Sequence, residues 1–336
     1  MKAFVIQGGF GMENLQLQER DTPRPGRGEV RLQMKAVSLN YRDYLMVTGA
    51  YNPKQPLPLV PCSDGVGIVD EVGPDVDRLQ PGMRVATLFA PLWRGGRPDR
   101  QGIRTTLGGP LDGTLTEHMV VPEGAVVPVP EHLSHVEAAT LTCAGLTAWS
   151  ALVTQGGVTA GETVLVQGTG GVSLFALQFA NLLGARVIVT SSKDDKLEKA
   201  KDLGAWQGIN YIDDPHWGRT AKKLTGGVGV DHVVEVGGAG TLAQSCTAVR
   251  IGGCISLIGI LAGPQADIAL TPILMQNIRV QGIFVGHREG FEAMNRAVDQ
   301  HRLQPVVDRV FPFEETREAF YYLSAARHMG KICIEF

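Results

Sequence analysis

The chain has 336 residues, enough for about two domains of ordinary size, each able to bury a core without disulfides or a structural metal. Lys and Arg total 31 against 34 Asp and Glu, a formal charge of -3, which argues against nucleic acid as a partner. Hydrophobic residues make up 44%, inside the globular range, and no run of about 18 uncharged apolar residues offers a membrane span.

The start, Met1 to Gln7, carries too short an apolar run for a signal peptide. The five cysteines (Cys62, Cys143, Cys246, Cys254 and Cys333) are odd in number, dispersed and without a C-x-x-C pair. Neither a disulfide framework nor a zinc ribbon is indicated, and a soluble, cytoplasmic protein is expected.

In chain order, short strands are predicted at 2 to 7, 28 to 37, 66 to 72, 83 to 89 and 116 to 121, between Gly-Pro, Pro-Gly and Gly-Gly turns. That pattern reads as a barrel-like β unit. Near Thr140 the pattern changes, and strands at Thr163 to Gln167, Arg186 to Thr190, Gly208 to Tyr211, Asp231 to Val236, Cys254 to Ile258 and Val280 to Phe284 alternate with helices. Six such units predict an α/β, doubly wound parallel sheet. The tail (helix Gly290 to Gln300, strand Arg309 to Phe313, helix Glu315 to Ala326, strand Lys331 to Phe336) is too short for a third domain. It is expected to return to the first unit, so the domains read 1–144, 145–284 and 285–336, with a cleft between two lobes.

The sharpest local signal is Val164-Leu165-Val166-Gln167-Gly168-Thr169-Gly170-Gly171-Val172-Ser173, a buried strand running into a glycine turn and a helix. Gly168 permits the turn, Gly170 admits a close ligand, and Gly171 and Val172 open a helix whose amides face a pyrophosphate. Ser173 replaces the third glycine of G-x-G-x-x-G. The next strand ends in Ser191-Ser192-Lys193-Asp194-Asp195-Lys196. Ser191, Ser192, Lys193 and Lys196 suit a 2′-phosphate where a carboxylate would repel it, favouring NADP(H). Asp194 on the ribose keeps NAD open, and Ser192 with Asp195 fits a capping box.

These segments together resemble the medium-chain dehydrogenase/reductase superfamily, the alcohol dehydrogenase and quinone oxidoreductase group. Asn40-Tyr41-Arg42-Asp43 is similar to the segment of its first catalytic zinc ligand, Pro61 to Gly67 to its Gly-His-Glu segment, Cys143 to Ala148 to the third-ligand segment, and Gly168 to Ser173 to its coenzyme turn. The resemblance implies a GroES-like β-barrel catalytic domain interrupted by a six-stranded Rossmann domain. Asn40 stands where the first cysteine would be and Ser63 where the histidine would be, and no cysteine lies between Cys62 and Cys143. Asn and Ser are poor zinc ligands, so no metal is expected. Cys62, Asp64 and Cys143 are weighed as a site of their own against ordinary buried cysteines, and His132 and His135 as a solvated helix start.

Without a metal, hydride transfer needs hydrogen-bond donors where negative charge develops. The resemblance to zinc-free quinone oxidoreductases implies Asn40 for that role, with Tyr51 as a second donor; Asn40 equally fits an N-cap with Asp43 at the third helical position. The tyrosine that some relatives have between them is Leu45 here. The resemblance further implies Thr147 against the nicotinamide, Tyr211 near the adenosine phosphate, Gly237 and Gly259 along the coenzyme cleft, and Lys331 near the pyrophosphate; solvated or structural roles stay open for Tyr211 and Lys331. The expected activity is zinc-independent, NADPH-dependent reduction of a quinone, enone or related conjugated carbonyl. An alcohol dehydrogenase-like enzyme and a non-catalytic NADPH sensor are the alternatives. A homodimer is expected, formed through the edge strand near Val280 to Phe284.

Overall fold

A computed structural model describes residues 1–265 and 267–336. The chain forms two compact units, Met1–Leu146 with Gly286–Phe336, and Thr147–Val285.

The first unit is organised by its longest strand, Glu29–Leu39, whose inward side chains Val30, Leu32, Met34, Val37 and Leu39 are buried. Antiparallel neighbours Asp64–Val72 and Lys331–Glu335 flank it, and His118–Pro122 pairs with its first half. The sheet continues through Arg84–Thr87 to Val126–Pro128 on one side and ends at Val307–Pro312 on the other. The C-terminal strand is thus an interior member of the first unit's sheet, and its pairing of Ile332 with Leu39 sets Lys331 beside the residue that follows Leu39. A separate two-stranded ribbon joins Lys2–Ile6 to Leu15–Glu19.

The second unit is a six-stranded, all-parallel sheet. Taken in chain order, its strands are Thr163–Gln167, Arg186–Ser191, Gln207–Asn210, Val230–Glu235, Val249–Leu257 and Arg279–Gly282, and they lie in the spatial order 3-2-1-4-5-6. Helices cover both faces of such a sheet, which is why Val164, Leu165, Val166, Val187, Ile188, Val233 and Val234 are all buried in unbroken runs. The order reverses between Thr163–Gln167 and Val230–Glu235, and the crevice at the carboxyl ends of those strands is the expected ligand position of this fold. The fifth strand starts at Val249, five residues before the sequence reading; Gly252 and Gly253 interrupt its apolar pattern, Gly252 with φ +72°.

Candidate active site

In the first unit, Asn40 ends the central strand and caps the helix Tyr41–Val47. Asp43 completes a capping box by accepting the Asn40 backbone N–H at 2.8 Å. The cap therefore exists as expected, but Asn40 does more. Its Oδ1 accepts from the Lys331 ammonium at 2.6 Å, and the same ammonium donates to the Leu39 carbonyl. Lys331 is buried. Strand register places it on Asn40, and its ammonium is engaged there.

Two carboxylates lie in the same cluster, Asp43 and Asp64, both wholly buried. Asp64 accepts from the Ser63 hydroxyl at 2.7 Å and the Cys143 backbone N–H at 3.1 Å. Burial pushes its carboxyl up to about 6, with Asp43 adding and Lys331, Asn40 and Ser63 opposing. Asp43 is also raised by burial, against the pull of Arg42 and Lys331. The same burial raises the Cys62 and Cys143 thiols, so both are held protonated. Cys143 itself lies on a widened helical turn, Leu141–Gly145, in which Gly145 N–H reaches back five residues to Thr140, a feature frequent at functional sites. Among the described residues no three His, Cys, Asp or Glu side chains are placed to hold a metal ion.

Among the described residues, Arg42 Nε is buried without a hydrogen-bond partner, while Ser38 Oγ and Asn40 Nδ2 are buried facing the Cys333 thiol and the Asp64 carboxylate without a close bond to either. Tyr51 is not drawn into the Asn40 cluster; its ring, 46% exposed, packs against the Arg42 guanidinium at 4.9 Å. Arg42 also donates to the Leu107 and Gly109 carbonyls, pinning the 107–109 loop. Ser134 caps His135–Ala139 with Glu137, but His132 is not solvated: its Nε2 lies 3.1 Å from the Leu303 carbonyl.

In the second unit, Gly168 adopts φ +70° and donates its N–H to Thr190 O at 2.8 Å, while Gly170 caps the 12-residue helix Gly171–Leu182 without any side-chain cap. A Cβ at either glycine would meet nothing within 4 Å, so open space borders the turn where side chains would project. Ser173 is buried and donates to Gln167 O at 2.7 Å. A hydroxyl that bonds the strand end fills the place of the third glycine.

Ser191, Ser192, Lys193 and Tyr211 are gathered at the end of the adjacent strand. Tyr211 N–H donates to Ser191 O at 3.0 Å, and Ser191 Oγ accepts the Lys193 N–H. Because that hydroxyl takes the Lys193 amide, the helix Asp194–Asp202 begins after Lys193, which occupies the cap position. The Ser192 capping box is therefore corrected, and Ser192 and Lys193 are exposed. Asp194 accepts from Asn210 Nδ2 at 2.8 Å, Lys196 lies in the first turn of that helix, and Thr147 is buried at the unit's first residue.

Gly237 and Gly259 are glycines for packing, since a Cβ would meet the Thr241 side chain or the Val236 carbonyl oxygen at 2.3 Å. Sequence reasoning missed what organises this end of the sheet. Glu235, wholly buried, accepts from Gln167 Nε2, Ser245 Oγ, Thr241 Oγ1 and the Gly237 and Gly238 amides. The available signal was two apolar strands each ending in a polar residue, Val164-Leu165-Val166-Gln167 and Val233-Val234-Glu235.

Residues 26–131 match the alcohol dehydrogenase GroES-like domain and 171–300 match the zinc-binding dehydrogenase family. A zinc-type alcohol dehydrogenase-like protein of Schizosaccharomyces pombe is 43% identical over 97% of this chain and 96% of its own. The chain belongs to the medium-chain dehydrogenase/reductase superfamily. Among solved members of the superfamily, a Sinorhizobium meliloti 1021 structure carrying an alcohol dehydrogenase name is 44% identical, with a TM-score of 0.93 over 100% of this chain and 98% of that one. A mycobacterial member complexed with NADPH is 26% identical, with a TM-score of 0.84 and full coverage of both chains. Members with quinone oxidoreductase names match as well, so the superfamily assignment makes this chain an oxidoreductase of the alcohol dehydrogenase-like and quinone oxidoreductase-like group.

Proposed function

We propose that this protein is a zinc-independent, NADPH-dependent oxidoreductase that delivers hydride to a quinone, enone or related conjugated carbonyl. The observation that carries the reading is the Lys331 ammonium on Asn40 Oδ1 at 2.6 Å, at the position resembling the first zinc ligand. A dication there would face an ammonium and a serine already donating to Asp64, with Cys143 alone of the three resembling positions a zinc-ligand type, whereas zinc binds thiolate and imidazole. These residues do not fit zinc. They fit a carbonyl oxygen that gains negative charge, because the buried Asn40 N–H faces Asp64 without a close hydrogen bond and a preorganised neutral donor acts where charge develops.

Bound NADPH supplies the hydride. The open glycine turn and uncapped helix N-terminus suit its pyrophosphate, and Ser191, Ser192 and Lys193 suit a 2′-phosphate, consistent with the NADPH in the mycobacterial relative. Asn40 stabilises the oxygen as the conjugated system takes up the electron pair, and a proton completes the reduction. The unpaired edge strand Arg279–Gly282, with exposed Leu270, Leu274 and Met275 nearby in sequence, supports a homodimer, which a light-scattering mass of twice one chain would establish and a mass of one chain would refute.

The test is a panel of quinones, enones and aliphatic alcohols with each coenzyme, before and after chelation, with metal content measured. Chelator-insensitive enone or quinone reduction with NADPH is expected. Stoichiometric zinc with chelator-sensitive alcohol oxidation would overturn the reading, as would NADPH binding without turnover of any substrate. Replacing Ser191 by Asp and Lys193 by Glu together is expected to move the NADPH/NADH ratio of kcat/KM toward NADH by about 100-fold, since like charge set against the phosphate costs several kcal/mol. An unchanged ratio would place the 2′-phosphate elsewhere.

A further inference from the structure

We propose that Lys331 is a positioning residue for Asn40, the fixed cation of the first unit's polar cluster, holding the amide so that its N–H alone is presented to the substrate oxygen. The inference rests on the reading of Asn40 as the oxyanion donor. A carboxamide has two nearly isosteric ends, one accepting and one donating, and only its hydrogen-bond partners decide which way it faces. An ammonium has donors and no acceptor. With Lys331 Nζ 2.6 Å from it, the Asn40 oxygen is fixed toward the lysine and Nδ2 is turned away from it, buried, facing Asp64 without a close hydrogen bond.

Lys331 is in turn fixed. Its strand pairs with the central strand through Ile332 and Leu39, its Nζ also donates to the Leu39 carbonyl, and the side chain is buried. The carbonyl anchor and the amide anchor come from consecutive residues at the end of one strand, so the ammonium cannot follow the amide if the amide turns. The charges around it complete the argument. Asp43 and Asp64 are both buried in this cluster and both feel Lys331, while Arg42 lies 3.5 Å from Asp43. Lys331 is therefore both the amide's clamp and a counter-cation for the two carboxylates, so no divalent ion is needed to balance them.

The experiment is a mutant cycle on the full-length protein, with the best substrate from the panel above. Lys331→Met is expected to lower kcat by about 10- to 100-fold, the usual effect of removing a group that orients a reacting one, with the NADPH dissociation constant unchanged. In an Asn40→Ala background, itself about 100- to 1,000-fold down in kcat, Lys331→Met is expected to cost nothing further, because the clamp has nothing left to hold. The same fold loss in both backgrounds would assign Lys331 a purely structural role and overturn the proposal. If Lys331→Met alone does not fold, Lys331→Met with Asp64→Asn restores the charge balance and is compared with Asp64→Asn. A second readout is independent of turnover: the side-chain 15N amide signal of Asn40, identified as the one missing in Asn40→Asp, is expected to shift and broaden in Lys331→Met, and an unchanged signal would overturn the clamp. The two readings separate cleanly. Wild-type kcat in Asn40→Ala would remove the oxyanion donor and this inference with it, whereas a large loss in Asn40→Ala beside wild-type kcat in Lys331→Met would remove only the clamp.

Discussion

Each unit contains a buried polar network built around a carboxylate, and the two are finished differently. Around Glu235 five donors converge, all neutral, from Gln167, Ser245, Thr241 and two backbone amides. Around Asp64 and Asp43 the balance comes from charged Lys331 and Arg42, and among the described residues Ser38 Oγ, Asn40 Nδ2 and Arg42 Nε make no close hydrogen bond. Protein interiors satisfy nearly all their polar groups, so a complete network reads as architecture, whereas one with unmatched donors reads as a site awaiting a ligand. The Glu235 network ties the end of the strand carrying the glycine turn to the loop after the neighbouring strand. On the function proposed above, it would frame the coenzyme site and the Asn40 network would be the part that reacts.

That contrast breaks first on Asn40. Asn40→Asp keeps the oxygen that Lys331 holds and removes the N–H, so kcat is expected to fall about 100- to 1,000-fold with little change in denaturation midpoint; a fall in stability without a fall in kcat would make this network architectural too. Glu235→Ala should do the reverse. Stranding several buried donors at once is expected to cost about 3–5 kcal/mol in urea unfolding and to weaken NADPH binding, while kcat at saturating coenzyme stays within a few-fold of wild type. A loss under 1 kcal/mol would show that the five donors find other partners.

The second unit was largely legible in the sequence, because strands buried on both faces are written as unbroken apolar runs, as at Val164-Leu165-Val166, Val187-Ile188-Val189, Val233-Val234 and Cys254-Ile255; the two edge strands, Gln207–Asn210 and Arg279–Gly282, carry none. The first unit was less so. Leu15–Glu19 escaped because only its first residue is buried, and Val126–Pro128 because it is three residues long. Ser192-x-x-Asp195 looked like a cap until the Ser191 hydroxyl took the amide that sets the helix start. The glycine turn and the Asn40 cap are local patterns and could be read directly. The contacts that give the two networks their character are not local: Lys331 meets Asn40 across 291 positions and Glu235 meets Gln167 across 68. Such pairs depend on strand register and order, which hydrophobic periodicity does not specify.

The smallest expected effect concerns the charge held in the reacting network. Asp64 ionises at about 6 in the folded protein against an ordinary 3.8, chiefly because it is buried. Between those pH values the folded chain binds a proton that the unfolded chain has released, so stability falls as pH rises. The contribution is fully present below about 3.8 and is lost as pH passes through 6. At about 1.4 kcal/mol per pH unit, the span corresponds to on the order of 2–3 kcal/mol. Asp64→Asn removes the titration and leaves Asp43, which is raised in the same direction, in both proteins. Plotted from pH 4 to 8, the stability of wild type minus that of Asp64→Asn is expected to fall with a midpoint slope between those values and to flatten above pH 7. A flat difference would mean that Lys331 and the Cys143 amide offset the whole burial penalty, leaving the first unit's carboxylate as fully compensated as the second's.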